Sequence, residues 1–97
     1  AIPHFSRAAK LDPSFGDAFL GWGACLGSAK RYSEAIPPLE TAVKLQPENP
    51  APHYLLAIAY SRTGRKEDGD KQFAIQKQLT QKGAAGEDNS HSQGKPN

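Results

Sequence analysis

Residues 34–47, EAIPPLETAVKLQP, repeat a stretch found at the start of the chain, AIPHFSRAAKLDP at 1–13. Both stretches carry an Ile-Pro pair, and both end with Lys-Leu, one further residue and a proline. The matched positions, from Ala1 with Ala35 to Pro13 with Pro47, lie 34 residues apart. A period of this length is typical of proteins built by stacking one supersecondary unit, so the repeat decides the fold.

Apolar residues recur along the chain at helical spacing, which predicts an all-α chain with five helices and short loops. Proline ends the first helix after Leu11, and Gly64 and Gly83 are expected to stop the last two, with Gly64 in the left-handed conformation. The expected helices are Ile2 to Leu11, Asp17 to Ala29, Ser33 to about Leu45, a fourth that follows the loop at 47–52, and Lys66 to Lys82.

The third predicted helix contains two adjacent prolines, Pro37 and Pro38. An interior proline costs about 3 kcal/mol, because it removes a backbone hydrogen bond and clashes with the preceding turn. With Ser33 as the N-cap, Pro37 lies at the edge of the first turn, where only the first intrahelical bond is lost. Pro38 removes a second bond, so a loosened or 3₁₀-like start is expected for this helix.

The same patterns divide the chain into a helical repeat domain and a tail. The domain is expected over 1–82: the second helix of a truncated repeat at 1–15, a full repeat at 16–49, and a last repeat with a capping helix at 50–82. Residues 83–97 contain no aromatic and no large aliphatic side chain, so they are expected to form a flexible tail. Because the chain opens within a repeat, it is expected to be the C-terminal end of a longer array.

Residue types that carry catalysis are scattered along the sequence. His4, His53 and His91 are separated from one another, and no cysteine or carboxylate accompanies them at metal-ligand spacing. No catalytic, cofactor-binding or metal site is therefore predicted. His53 is expected to be a packed ring with one polar tip, and Cys25 an inert buried thiol.

Charge and hydropathy argue against nucleic-acid and membrane partners. The formal net charge of +2 is spread along the chain, without the continuous basic face that nucleic-acid binding needs. Arg31 and Arg65 lie one period apart, but acidic residues follow both, so mixed-charge turns are expected. No run approaches the roughly 18 apolar residues that span a bilayer, and the first residues do not have the layout of a signal peptide. Because the chain is expected to be a fragment, a targeting signal on the parent protein would lie outside it. The compartment stays unassigned, with the cytoplasm slightly favoured.

The period and the residues that recur in it resemble the tetratricopeptide repeat. The matching residues are Ala1, Phe5, Ala8 and Pro13 in the opening segment; Phe19, Trp22, Gly23, Leu26, Ala35, Leu39, Ala42 and Pro47 in the central repeat; and His53, Leu56, Ala57, Tyr60, Gly69 and Phe73 in the last. The resemblance covers residues 1 to about 80. It implies a solenoid of helix-turn-helix repeats, about two and a half of them, in which small residues let helices approach and large ones fill the gaps.

Proteins of this family bind peptides in a concave groove lined by the first helices of successive repeats. The resemblance therefore implies a non-catalytic scaffold with a protein or peptide partner. The corresponding groove residues are Leu20, Ala24, Gly27, Ser28, Tyr54, Ile58, Ser61 and Arg62. Family members that grip a C-terminal carboxylate do so with lysine, arginine and asparagine, whereas those slots here hold Gly21, Ala51 and Leu55, so a co-chaperone role is disfavoured.

Three other interpretations stay open on the sequence alone. The groove residues are also compatible with surface variation in a spacer repeat. The whole segment is compatible with a recruiting or spacer arm of a larger enzyme whose catalytic domain lies upstream. Finally, the opening repeat lacks its first helix, which leaves Ile2 and Phe5 under-covered and predicts a self-association surface for homotypic stacking.

Overall fold

The computed structural model describes the backbone of residues 2–88 and the side chains of residues 4–82. Its helices are α1 (Ile2–Leu11), α2 (Gly16–Ser28), α3 (Tyr32–Leu45), α4 (Pro50–Arg62) and α5 (Lys66–Asp88). Each helix packs against the next one along the chain, and α2 also touches α4. No strand occurs within residues 2–88. The predicted all-α helical repeat is confirmed.

The core lies between α2, α3 and α4, where a large side chain from each helix meets the others. Leu26, Leu39, Leu56 and Tyr60 are buried, and Leu39 is only 1% exposed. Trp22 packs against this cluster while remaining partly exposed. Full burial of one such leucine stabilises the folded chain by about 1.5–3 kcal/mol, so these few contacts supply much of the stability of a small domain.

Small residues occupy the points where neighbouring helices approach most closely. Ala35, Ala42 and Ala57 are 0% exposed. A side-chain carbon at Gly23 would overlap Leu39 of the next helix, so this leucine packs directly on the α2 backbone. The predicted role of small residues as points of close approach is confirmed.

Polar side chains fix the loop that leads into α4. Asn49 is the N-cap, and its side chain accepts a hydrogen bond from the amide of Ala51 at 3.1 Å. Pro50 stands at the first helical position, where its missing N–H costs nothing. The Asn49 amide also donates to Gln46, which in turn donates to Asp17 of α2 at 2.8 Å.

The C-terminal end of α4 forms a Schellman cap. The Arg65 amide donates to the Tyr60 carbonyl at 2.8 Å, and the Gly64 amide donates to the Ser61 carbonyl at 3.4 Å. This pair of bonds requires a left-handed residue after the helix, and Gly64 has a φ of 85°. The predicted stop at Gly64 is confirmed.

The end of α2 has the same cap one period earlier. The Arg31 amide donates to the Leu26 carbonyl at 2.8 Å, and the Lys30 amide donates to the Gly27 carbonyl at 2.9 Å. Here the left-handed position is held by Lys30, with a φ of 63°. A residue with a Cβ is strained in this conformation by about 1–2 kcal/mol, so the turn after α2 is the less favourable copy of the two.

The start of α3 differs from the prediction. The helix begins at Tyr32, with Arg31 as the N-cap and no side-chain capping bond, so the expected cap at Ser33 is wrong. Pro37 and Pro38 consequently lie inside the helix, in its second turn, and the backbone is α-helical from Tyr32 onward without a 3₁₀ start. Together the two prolines remove two backbone N–H donors from the helix, but Pro38 is buried, so its ring also contributes to packing.

The last helix is longer than predicted. α5 continues through the expected stop at Gly83 and ends at Asp88, so that stop is wrong. The proposed flexible tail at 83–97 stays a prediction, because residues 89–97 lie outside the described residues. A glycine carries only a propensity cost of about 1 kcal/mol in a helix, which is too small to end one without a capping geometry.

Replacing Lys30 with glycine is expected to raise the free energy of unfolding by about 0.5–1 kcal/mol, because glycine adopts positive φ without strain. Gly64→Ala should lower it by about 1 kcal/mol at the equivalent turn, where a Cβ would meet no atom within 4 Å. Urea unfolding followed by circular dichroism measures both changes. Lys30→Ala is the control, since it keeps the strained backbone; a gain equal to that of Lys30→Gly would contradict the explanation.

Two alanine substitutions one turn apart on α2 are expected to act in opposite directions. Gly23→Ala should destabilise the protein by about 1–3 kcal/mol, because a Cβ there would overlap Leu39 and displace this buried side chain from its packed position. Gly27→Ala should stabilise it by up to about 1 kcal/mol, because a Cβ there meets nothing within 4 Å and alanine favours the helix. Urea unfolding measures the free energy of unfolding of both variants. If both variants were more stable than wild type, the contact between Gly23 and Leu39 would not exclude a side chain at position 23.

Candidate functional site

A cavity of about 240 Å³ lies between α2, α3 and α4. Its lining is mostly apolar, and Ser28 and Tyr32 are the lining residues with polar side-chain groups. The lining residues are Gly23, Ala24, Gly27 and Ser28 from α2; Tyr32, Ala35 and Leu39 from α3; and Leu55, Ile58 and Ala59 from α4. Ser28 is exposed, whereas Ala35 and Leu39 belong to the core, so the cavity reaches from the surface to buried side chains.

The run of small residues on α2 explains why this space is open. Gly23, Ala24 and Gly27 present little or no side chain toward the cavity, and nothing lies within 4 Å of the position a Cβ would take at Gly27. At Gly23 the space is taken by Leu39 instead. The same helix therefore packs tightly at one glycine and leaves room at the next.

The predicted groove residues fall into two groups. Ala24, Gly27, Ser28 and Ile58 line the cavity. Arg62 is outside the lining but touches a residue that belongs to it, since its guanidinium carbon lies 5.7 Å from the centroid of the Tyr32 ring. The other three predicted residues, Leu20, Tyr54 and Ser61, are outside the lining.

Those three residues have other neighbours. Leu20 packs against the buried core cluster. Tyr54 is 46% exposed, and its ring meets Phe73 of α5 edge-on at a centroid distance of 6.0 Å. The Ser61 hydroxyl would lie 2.5 Å from a Cβ at Gly69, so it also faces α5.

Sequence reasoning missed six of the lining residues: Tyr32, Leu55 and Ala59, together with the core positions Gly23, Ala35 and Leu39. Leu55, Ile58 and Ala59 have the i, i+3, i+4 spacing of a single helix face, and this face is rotated by one residue from the predicted one. That spacing in the sequence could have identified Leu55 and Ala59 as cavity residues. Tyr32 had no such signal, because its place in the first turn of α3 depends on a helix start that the sequence does not mark.

The volume of the cavity limits what it can hold. Pockets for small-molecule ligands and cofactors are typically about 300–1,000 Å³, which is larger than this one. About 240 Å³ suits a side chain or two from a docked segment better than a cofactor. No group of three or more His, Cys, Asp or Glu side chains able to hold a metal ion occurs among the described residues.

Cationic side chains near the cavity differ in their pairing. Arg31 forms two hydrogen bonds to Glu34, at 3.0 and 2.6 Å, and these bonds lower the pKa of the Glu34 carboxyl. One period later, Arg65 pairs with Asp68 at 3.0 Å. The predicted mixed-charge turns are confirmed. Arg62 instead stacks on Tyr32, and no ion pair to it is formed among the side chains of residues 4–82.

His53 and Cys25 have structural environments. The His53 ring is 4% exposed, with Nε2 2.9 Å from the Pro47 carbonyl oxygen and Nδ1 2.6 Å from Gln72 Oε1. The prediction of a packed ring is confirmed, although both of its nitrogens have partners instead of one. Cys25 is half-buried, so the expectation of a buried thiol is wrong. In the described part of the chain, no helix has the length and apolar character to cross a membrane.

Tyr60 and Glu40 form a hydrogen-bonded pair that joins α3 to α4. The tyrosine hydroxyl donates to the carboxylate at 2.6 Å, and the Arg65 guanidinium lies 4.2 Å from the ring centroid. Burial of the phenol, together with the bond to Glu40 and its negative charge, raises the pKa of Tyr60 to about 12. Neither residue lines the cavity, so this shift reflects packing and not a reactive group in the site.

The predicted self-association surface is only partly described. Phe5 is half-buried, and its ring occupies the space where a side chain at Gly21 would lie. Its packing on α2 covers part of the surface that was expected to be free. The side chain of Ile2 lies outside the described residues, and self-association through this end of the chain stays a prediction.

Comparisons with known proteins agree with the repeat pattern. Residues 28–64 match the family profile described as "TPR repeat". A 49-residue stretch is 39% identical to the small glutamine-rich tetratricopeptide repeat-containing protein 2 of Mycosarcoma maydis, and the match covers 50% of this chain. Residues 28–64 of this chain are therefore similar to a tetratricopeptide repeat. The match spans 14% of the relative's length, so the activity of that whole protein does not follow for this chain.

Solved structures of tetratricopeptide-type fold superpose closely on the helices. MamA AMB-1 matches with a TM-score of 0.79 and 26% identity, over 84% of this chain and 44% of that chain. MamA MSR-1 matches with a TM-score of 0.77 over 86% of this chain and 48% of its own, and at 24% identity it shows the fold alone. Tetratricopeptide repeats are protein–protein interaction modules, and the chain has this architecture.

Tyr60 should make the free energy of unfolding fall between about pH 10 and pH 12. In this window the unfolded chain has lost its phenolic proton, while the folded chain retains it because the pKa of Tyr60 is raised to about 12. The contribution is fully present below pH 10. Urea unfolding from about pH 9 to pH 12 should show a stability difference between wild type and Tyr60→Phe that shrinks as pH rises.

A phenolate absorbance titration provides the direct check on Tyr60. The chain has 3 tyrosines, and one of them should titrate near pH 12 in the folded protein. Tyr54→Phe is the matched control, since Tyr54 is 46% exposed and its removal should leave the late step in place. A late step that survives Tyr60→Phe would assign the raised pKa to another residue.

Proposed function

We propose that this segment is a non-catalytic interaction module that binds a partner protein by accepting an apolar side chain into the cavity between α2, α3 and α4. The observation that carries the proposal is the open space above Gly27, lined by Leu55 and Ile58 on α4 and Tyr32 on α3. A surface-accessible apolar cavity of this size is a site for anchor residues of a docked segment.

Gly27 lowers the stability of α2 without a packing reason. A glycine inside a helix lowers stability by about 1 kcal/mol relative to alanine. At Gly27 no neighbouring atom would clash with a side chain, so packing does not explain the glycine. Gly23, by contrast, is required by Leu39. A glycine at a position where alanine would fit supports a function for the open space itself. Close approach of a ligand to the α2 backbone is such a function.

Two substitutions in the cavity are expected to weaken binding for different reasons. Peptides selected from a random phage-displayed library on the wild-type chain serve as the probe, and fluorescence anisotropy gives their dissociation constants. Ile58→Glu should weaken binding about tenfold or more by placing a charge in the apolar lining. Gly27→Ala should also weaken binding while the protein becomes more stable, so loss of fold cannot explain the result.

Ile75→Glu is the matched control for Ile58→Glu. It makes the same change at an isoleucine of α5 that is 36% exposed and lies outside the cavity lining. Peptide affinity should be unchanged in this variant, and circular dichroism should show folded protein in all three. Peptides that bind Ile58→Glu and Gly27→Ala as tightly as wild type would contradict binding in the cavity.

A further inference from the structure

Arg62 stacks on an aromatic ring that belongs to the cavity lining. The Arg62 guanidinium carbon lies 5.7 Å from the centroid of the Tyr32 ring, and Tyr32 itself lines the cavity. When a guanidinium stacks on a tyrosine ring, its N–H groups point outward within the guanidinium plane. They remain free to donate hydrogen bonds to a planar acceptor. The charge is thus held beside the apolar opening.

Pairing separates Arg62 from the other two arginines of the turns. Arg31 and Arg65 each have a carboxylate three residues further on, Glu34 and Asp68. Arg62 has no ion-pair partner among the described side chains. None of the residues that line the cavity is acidic, so the lining offers no compensating negative charge.

We infer that the segment held in the cavity is acidic and aliphatic: an aliphatic side chain enters the space above Gly27, and an Asp or Glu close to it in the partner's sequence pairs with Arg62. This inference rests on the proposed function and specifies the chemistry of the partner. The argument is charge complementarity, since a guanidinium fork matches a carboxylate in two parallel hydrogen bonds. A basic segment would instead face an unpaired cation across an apolar surface, which disfavours it.

The experiment selects a random dodecamer phage library on the full chain and on Arg62→Glu. Peptides from wild type should be enriched in Asp or Glu beside an aliphatic residue, and peptides from Arg62→Glu should replace the acid by Lys or Arg. A peptide selected on wild type should bind Arg62→Gln about fivefold more weakly, the effect of losing a partly exposed ion pair. Its affinity should also fall as salt is raised, and this dependence should be smaller for Arg62→Gln.

Arg7→Glu is the matched control, an exposed arginine on α1 outside the cavity lining. It changes the net charge by the same amount as Arg62→Glu and should leave the selected sequences acidic. If peptides lose affinity in Ile58→Glu but show no acidic preference, the cavity binds partners and the inference about their charge is overturned. If the peptides bind Ile58→Glu as tightly as wild type, the proposed function itself fails.

Discussion

The contact between Gly23 and Leu39 sets the geometry on which the rest of the structure depends. Because Gly23 has no side chain, Leu39 packs on the backbone of α2, and α3 is drawn close along its buried face. That approach places Tyr32, at the start of α3, beside the small residues at the end of α2. The cavity lies beside this contact: Leu39 fills the space at Gly23, whereas no atom lies within 4 Å of a Cβ at Gly27.

The turns after α2 and α4 share their conformation because of backbone hydrogen bonds more than because of charge pairs. The caps after α2 and α4 use the same two hydrogen bonds and the same left-handed position, held by Lys30 and Gly64. Each turn also has an arginine paired with an acid three residues on, but these side chains are about half exposed. Water screens such exposed pairs, so they contribute little to stability, and the turn depends on the backbone geometry that Lys30 keeps despite its strain.

Much of the fold could be predicted from sequence, because the 34-residue period fixes which positions must be small and which large. The predictions were wrong where a single residue determines a helix start or the orientation of a helix face. The sequence offers Ser33 as a cap, yet α3 starts at Tyr32 because the Arg31 carbonyl accepts the first helical bond from Ala35 at 3.1 Å. The face of α4 was predicted one residue out, since Tyr54 and Leu55 are both large and only packing shows that Tyr54 meets α5.

Among the four glycines of α2, Gly23 and Gly27 differ in whether packing requires them. If the helix were selected for stability alone, Gly27 would gain from becoming alanine, because its surroundings place no steric limit on a methyl group. Gly23 has no such freedom. The chain accepts a small loss of helix propensity at Gly27, where a side chain would narrow the cavity, close to the turn where Lys30 already carries strain. A loss of stability beside an open apolar space supports the proposed docking site over a spacer helix.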